Sequence, residues 1–104
     1  MDDPFIYFDE AKPTEPGYYQ WCRFNQLGRN NIGYNIFYLF PDMTALCIET
    51  GIREPIDSEF YELGACLGPY SYEWVFNRVK DLPVCHNLQV FQSQLLNGIY
   101  DKKP

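Results

Sequence analysis

The chain has 104 residues, 46% of them hydrophobic, with 8 Phe and 9 Tyr, which is enough apolar surface for one buried core and too much for a disordered chain. Eight basic against 14 acidic side chains leave a net charge of −6. That balance argues against a nucleic-acid or anionic-membrane binder, because phosphate binding depends on Lys and Arg displacing counterions. The first residues, Met1-Asp2-Asp3-Pro4-Phe5, carry neither the basic stretch nor the apolar run of a secretory signal, so a cytoplasmic chain with four reduced cysteines is expected.

Residues 1–17 hold Asp2, Asp3, Asp9, Glu10 and Glu15 against Lys12 alone. The short run Phe5-Ile6-Tyr7-Phe8 within them reads as an edge strand. Pro13-Thr14-Glu15-Pro16-Gly17 then makes a turn, since the prolines fix φ and the glycine permits a left-handed backbone. Tyr18 to Phe24 has the aromatic density of a strand. Leu27 to Gly33, with Gly28, Asn30, Asn31 and Gly33, reads as the turn into a second strand, Tyr34 to Phe40. Pro41-Asp42 leads tightly into a third, Met43 to Glu49. Three sequential strands with short turns predict a meander.

Thr50 to Ser58 shows no periodicity and is expected to be an exposed loop. Glu59 to Leu67 reads as a fourth strand, Gly68-Pro69 as a turn, and Tyr70 to Val79 as a fifth strand. In the last, Tyr70, Tyr72, Trp74 and Phe76 alternate with other residues, the period that places four rings on one face. Beyond Pro83 the period changes: Leu88, Phe91, Leu95 and Ile99 recur at helical spacing, predicting one amphipathic helix over 87–100 with Asn87 as its N-cap and Gly98 near its end. Asp101 to Pro104 reads as a loose tail. The expected fold is therefore α+β, one domain over 1–104. It has an antiparallel sheet of about five strands in 18–80, packed against one C-terminal helix, with the acidic segment 1–17 in front.

Few residues suggest chemistry. Cys22, Cys47, Cys66 and Cys85 lie far apart in sequence, whereas structural zinc sites take ligands in close pairs. They are expected to be small buried hydrophobes. Cys85-His86 pairs a thiol with an imidazole, but consecutive residues project in different directions and seldom form a productive nucleophile and base. No glycine pattern matches a phosphate-cradling loop, and Gly64 inside a strand marks a bulge or a close backbone approach. No catalytic residue, metal or cofactor is expected.

Two features point to binding. Residues 49–73 carry Glu49, Glu54, Asp57, Glu59, Glu62 and Glu73 against Arg53 alone. Such a run is a solvated acidic face or a surface for a basic partner. In Tyr18-Tyr19-Gln20-Trp21 large rings alternate to both faces of one strand, so one face, that of Tyr19 and Trp21, is expected to be left for contact unless both are covered. The stripe at Tyr70 to Phe76 is expected to form core under the helix.

The expected function is that of a small acidic binding protein and not an enzyme. It is read as an inhibitor that sets Glu49, Glu54, Asp57, Glu59, Glu62, Tyr19 and Trp21 against a basic, nucleic-acid-binding site on a protein partner. In size, acidity and tyrosine content the chain is similar to two broad classes, phage anti-CRISPR or anti-restriction inhibitors and the immunity proteins that neutralise nuclease toxins. That resemblance implies inhibition and assigns no site residue. The alternative is a small-ligand or peptide module with an aromatic groove on the sheet. An edge strand rich in aromatics also offers a route to a homodimer.

Overall fold

Alternation in the segment β2 (Gly17–Arg23) sends Tyr18 to one side and Tyr19 and Trp21 to the other. The computed structural model describes residues 5–24 and 35–100. Within them β2 lies in an antiparallel sheet of six strands, with β1 (Ile6–Tyr7), β3 (Ile36–Leu39), β4 (Thr44–Cys47), β5 (Arg53–Pro55) and β6 (Gly64–Tyr70), in the order β1-β6-β2-β3-β4-β5. The turn expected at Leu27 to Gly33 and the tail expected at Asp101 to Pro104 lie outside the described residues.

The meander is present in β2, β3 and β4, and it continues one strand further. Thr50 to Ser58 is not simply a loop: β5 pairs with β4, Leu46 opposite Arg53 and Ala45 opposite Glu54. Side chains set that pairing. Asp42 accepts hydrogen bonds from the amide and hydroxyl of Thr44 at 3.0 and 2.6 Å, forming the β3–β4 turn. Arg53 donates to the Thr44 hydroxyl at 2.7 Å and pairs with Asp42 at 3.1 Å, tying β5 to that turn. The hydrogen bonds from Thr44, aided by the guanidinium of Arg53, hold the Asp42 carboxyl below its usual range.

The fourth expected strand, Glu59 to Leu67, is corrected in its first half. Glu59–Glu62 is a short helix, α1, and the strand that follows is β6. Through α1 the chain crosses one face of the sheet and returns on the far side of β2, where β6 pairs with it from Tyr18↔Tyr70 to Arg23↔Gly64, with a register shift between Tyr18 and Gln20. β1 then pairs outside β6 as the edge strand expected from Phe5 to Phe8.

The fifth expected strand is also corrected. Tyr72–Val79 is a helix, α2. The Ser71 side chain accepts from the Trp74 amide at 3.2 Å and caps it, Glu73 and Arg78 complement its dipole, and Val75 and Val79, one turn apart, enter the core. Trp74 stacks on Tyr70, the last residue of β6, at 3.7 Å, and Tyr72 and Phe76 lie one turn apart on α2 with ring centroids 5.9 Å apart.

The final helix, α3, runs Val84–Leu96 instead of 87–100. Pro83 occupies the N-cap position with a helical φ of −57°, so Asn87 lies inside the first turns and donates to the Glu49 carbonyl at 3.4 Å. Leu88 and Phe91 are buried as the periodicity requires, whereas Ile99 is exposed. The described residues thus hold three helices and six strands, against the one helix and five strands expected. None of the helices is long and apolar enough to cross a membrane.

Both faces of the sheet are covered. On one, α2 and α3 bury Tyr18, Ile36, Phe40, Leu46 and Ile48 beneath Val75, Leu88 and Phe91. On the other, Tyr19, Trp21, Phe37, Leu39 and Ala45 are roofed by Tyr61 of α1, Phe8 and Ile56.

Candidate functional site

Tyr61 anchors α1 to the sheet. Its ring is 1% exposed and packs edge-on to Phe37 at 5.1 Å and to Trp21 at 6.1 Å, with Phe8 stacked at 6.1 Å from the N-terminal side. The Trp21 indole N–H donates to the Tyr61 carbonyl at 3.2 Å. Burial raises the Tyr61 hydroxyl well above its ordinary pKa of 10.0, and among the described residues it has no hydrogen-bond partner.

With Tyr61 turned inward, its neighbours on α1 turn outward. Phe60 stacks on Trp21 at 5.1 Å yet stays 41% exposed, and Leu63, just past the helix, is 54% exposed. Phe24 donates its amide to the Leu63 carbonyl at 2.9 Å, but its ring stacks on Tyr7, which alternates with Ile6 and Phe8 and so faces away from α1. Phe60 and Leu63 are the apolar knobs of an outward surface at α1. Glu59 and Glu62 are exposed on the same helix, and Asp57 just before it. Phe8 carries the first acidic segment up to α1, so exposed Asp9 and Glu10 flank it from the other side. Asp9 and Glu10 thus come from a part of the chain far in sequence from Asp57, Glu59 and Glu62. Of the nearby cations, Lys12 is folded onto Phe8, bonding its carbonyl at 2.8 Å, and Arg23 lies over Trp21.

Of the residues expected to bind a partner, Asp57, Glu59 and Glu62 share this surface. Glu54 projects on the same side of the sheet, opposite Ala45, and is half-buried. Glu49 lies apart, in the turn after β4 facing α3. The expectation that Tyr19 and Trp21 leave a face for contact is corrected: they are 1% and 4% exposed because α1 and Phe8 cover them. Tyr19 stacks on Phe37 at 5.2 Å and donates to the Glu15 carbonyl at 2.5 Å, and burial pushes its hydroxyl up to about 12. Trp21 is one layer below the surface, supporting Phe60. Phe60 and Leu63 were not singled out from sequence. Their signal was large apolar residues interrupting charge, which also describes a strand.

A second concavity lies across the sheet, between α3 and the β4–β5 turn. It has a volume of about 280 Å³ and is lined by Leu46, Ile48, Glu49, Thr50, Gly51, His86, Asn87, Val90, Phe91, Gln94 and Tyr100. Cys85 is buried in the helical core while adjacent His86 is exposed at this groove, so the two do not act as a pair. Burial raises the thiol of Cys22 and pushes that of Cys66 up to about 12, the opposite of nucleophile activation. Among the described residues no three His, Cys, Asp or Glu side chains are grouped to hold a metal.

No protein-family model, no curated protein and no solved structure matches the chain.

Proposed function

We propose that the chain is an acidic binding protein, not an enzyme, that inhibits by docking α1 on a basic, nucleic-acid-binding surface of a protein partner. One observation carries this reading: exposed Phe60 and Leu63 stand among Glu59, Glu62 and Asp57 on a helix anchored from beneath by Trp21 and Tyr61. Apolar knobs ringed by charge divide the work of an interface. Desolvated rings supply most of the affinity, and carboxylates supply steering and orientation. The acids favour a basic partner over a second copy of the chain, which would bring the same negative charge to the contact.

The test is capture from the host lysate on immobilised wild-type protein, beside a Glu59→Lys/Glu62→Lys variant and a Phe60→Ala variant. The expected catch is a basic protein that double-stranded DNA or heparin displaces, that leaves as salt rises, and that neither variant retains. A catch that polyanions do not displace, or that both variants hold equally, overturns the reading.

A further inference from the structure

The stretch from Val84 to Tyr100, which begins with α3, contains no Asp, Glu, Lys or Arg, in a chain where these make up 21% of residues and the net charge is −6. The inner side of α3 is core, with Val84, Leu88 and Phe91 buried. At about 3.6 residues per turn the opposite side carries His86, Val90, Ser93 and Asn97. All four are exposed, Val90 at 42%, and Leu96 beside them is 77% exposed. A solvated helix face ordinarily carries charge; here amides, a hydroxyl, an imidazole and aliphatic side chains take its place.

Such a face matches a copy of itself. A two-fold contact sets a patch against the same patch, so carboxylates meet carboxylates wherever the patch is acidic, as at α1. Amides carry both a donor and an acceptor and can bond their own kind. The spacing also chooses a direction. About a two-fold axis midway between Val90 and Ser93, an antiparallel pair of α3 helices places Val90 of each copy against Ser93 of the other, and His86 against Asn97. The charges bordering the helix agree. The Glu49 carbonyl accepts from Asn87 near the start of α3, at 3.4 Å, whereas Arg53, paired with Asp42, donates to the Tyr100 carbonyl past its end, at 3.5 Å. An antiparallel pair turns Glu49 of each copy toward the Arg53 end of the other. A parallel pair would set the two Glu49 side by side.

We propose that the outer face of α3 is a self-association surface, on which a second copy of the chain docks antiparallel across a two-fold axis. The 13 residues of α3 span about 20 Å. That is too short to bury the roughly 800 Å² per partner of a standard interface, so the dimer belongs to the weak class, with a Kd of about 100 μM.

Sedimentation equilibrium of the full chain from about 10 μM to about 1 mM should show monomer and dimer in exchange. Salt raised from about 50 mM to about 500 mM should strengthen the dimer, because screening relieves the repulsion between two chains of charge −6. Ser93→Lys and Val90→Glu, both at exposed positions, should each weaken it about tenfold or more with unchanged melting temperature. The Val90→Glu/Ser93→Lys double variant sets Glu against Lys twice in the antiparallel pair and like against like in a parallel one, so it should recover the dimer. Replacing Asp101, Lys102 and Lys103 by Ser should leave association unchanged, since the pairing uses no residue after Tyr100. A monomer throughout the range, a dimer that Ser93→Lys leaves intact or that salt dissolves, a double variant that stays monomeric, or association lost on replacing Asp101 to Lys103 or in Phe60→Ala would each overturn the assignment.

Discussion

Gly64→Ala adds one methyl group at the junction of α1 and β6. The new Cβ would stand 2.1 Å from the carbonyl oxygen of Cys22 and 2.7 and 2.8 Å from Cε2 and Cζ2 of the Trp21 ring. The ring can turn away, but the carbonyl belongs to β2, which pairs with β6 at Arg23↔Gly64 inside the sheet. Relief requires the two strands to separate. Overpacking absorbed by side chains costs about 1–3 kcal/mol, and a backbone obstacle places this variant at or above about 3 kcal/mol. At about 4–8 °C per kcal/mol for a domain of this size, the melting temperature should fall by about 12–24 °C. Gly51→Ala is the control: nothing lies within 4 Å of its added Cβ, and only its φ of +75° is unfavourable. That left-handed backbone costs about 1–2 kcal/mol. Thermal melts followed by circular dichroism, with urea midpoints as a second measure, compare the two. A Gly64→Ala protein no less stable than Gly51→Ala would refute the close approach of β2 and β6.

Ser71→Ala removes the acceptor for the Trp74 amide and should cost about 1 kcal/mol, whereas Ser71→Asp should not; equal melting temperatures for the two would mean that the cap does not hold α2. Burial raises the Tyr18 and Tyr61 hydroxyls above their ordinary 10.0 and pushes Tyr19 and Cys66 to about 12. Each of these groups is protonated in the fold and ionises more easily once unfolded. Their contribution to stability is therefore complete below pH 9 and is lost as pH rises through the window up to about 12, at about 1.4 kcal/mol per group per pH unit. Tyrosinate absorbance should appear together with loss of the fold. Ionisation of all nine tyrosines near pH 10 in an intact protein would contradict the burial.

The meander and the last helix were legible because each has one dominant period. In β2 to β4 alternation agrees with the Pro-Asp turn, and in α3 Leu88 and Phe91 recur at helical spacing on the buried side. The α2 segment was misread because residues two apart along a chain are also, at every second step, four apart. Tyr70, Tyr72, Trp74 and Phe76 therefore satisfy a strand while also offering the four-residue spacing of a helix, which Tyr72 and Phe76 realise within α2. The deciding signals were smaller, Ser71 as a cap and Val75 with Val79 one turn apart. α1 spans only Glu59–Glu62, too short for any period to be read. The acids of the candidate surface were visible as charge, but the approach of Asp9 and Glu10 to α1 was not, because it depends on Phe8 meeting Tyr61 from a distant part of the chain. The cover over Tyr19 and Trp21 is likewise assembled from Phe8, Ile56 and Tyr61, three segments with no shared pattern.

Trp21 therefore acts on the candidate surface without reaching a partner, and Trp21→Phe separates support from contact. A four-residue helix has almost no stability of its own, so α1 depends on tertiary anchors. Phenylalanine at position 21 keeps an apolar ring under Phe60 but deletes the N–H that bonds the Tyr61 carbonyl at 3.2 Å, and a buried acceptor left unmet costs about 1–3 kcal/mol. The loss should appear first as faster hydrogen exchange at the Tyr61 and Glu62 amides, both bonded to the Ser58 carbonyl, while the β2–β3 amides slow exchange nearly as before. Partner affinity should fall because α1 must be ordered on binding, yet its salt dependence should not change, since Asp57, Glu59 and Glu62 remain. Glu59→Lys/Glu62→Lys should do the reverse, altering salt dependence and association rate with little effect on exchange. If Trp21→Phe left both the α1 amides and the affinity untouched, the indole would not be the support of this surface. If it instead reproduced the charge variant's salt dependence, loss of the anchor would have displaced the carboxylates themselves, and α1 would not be the separable element that this division of roles requires.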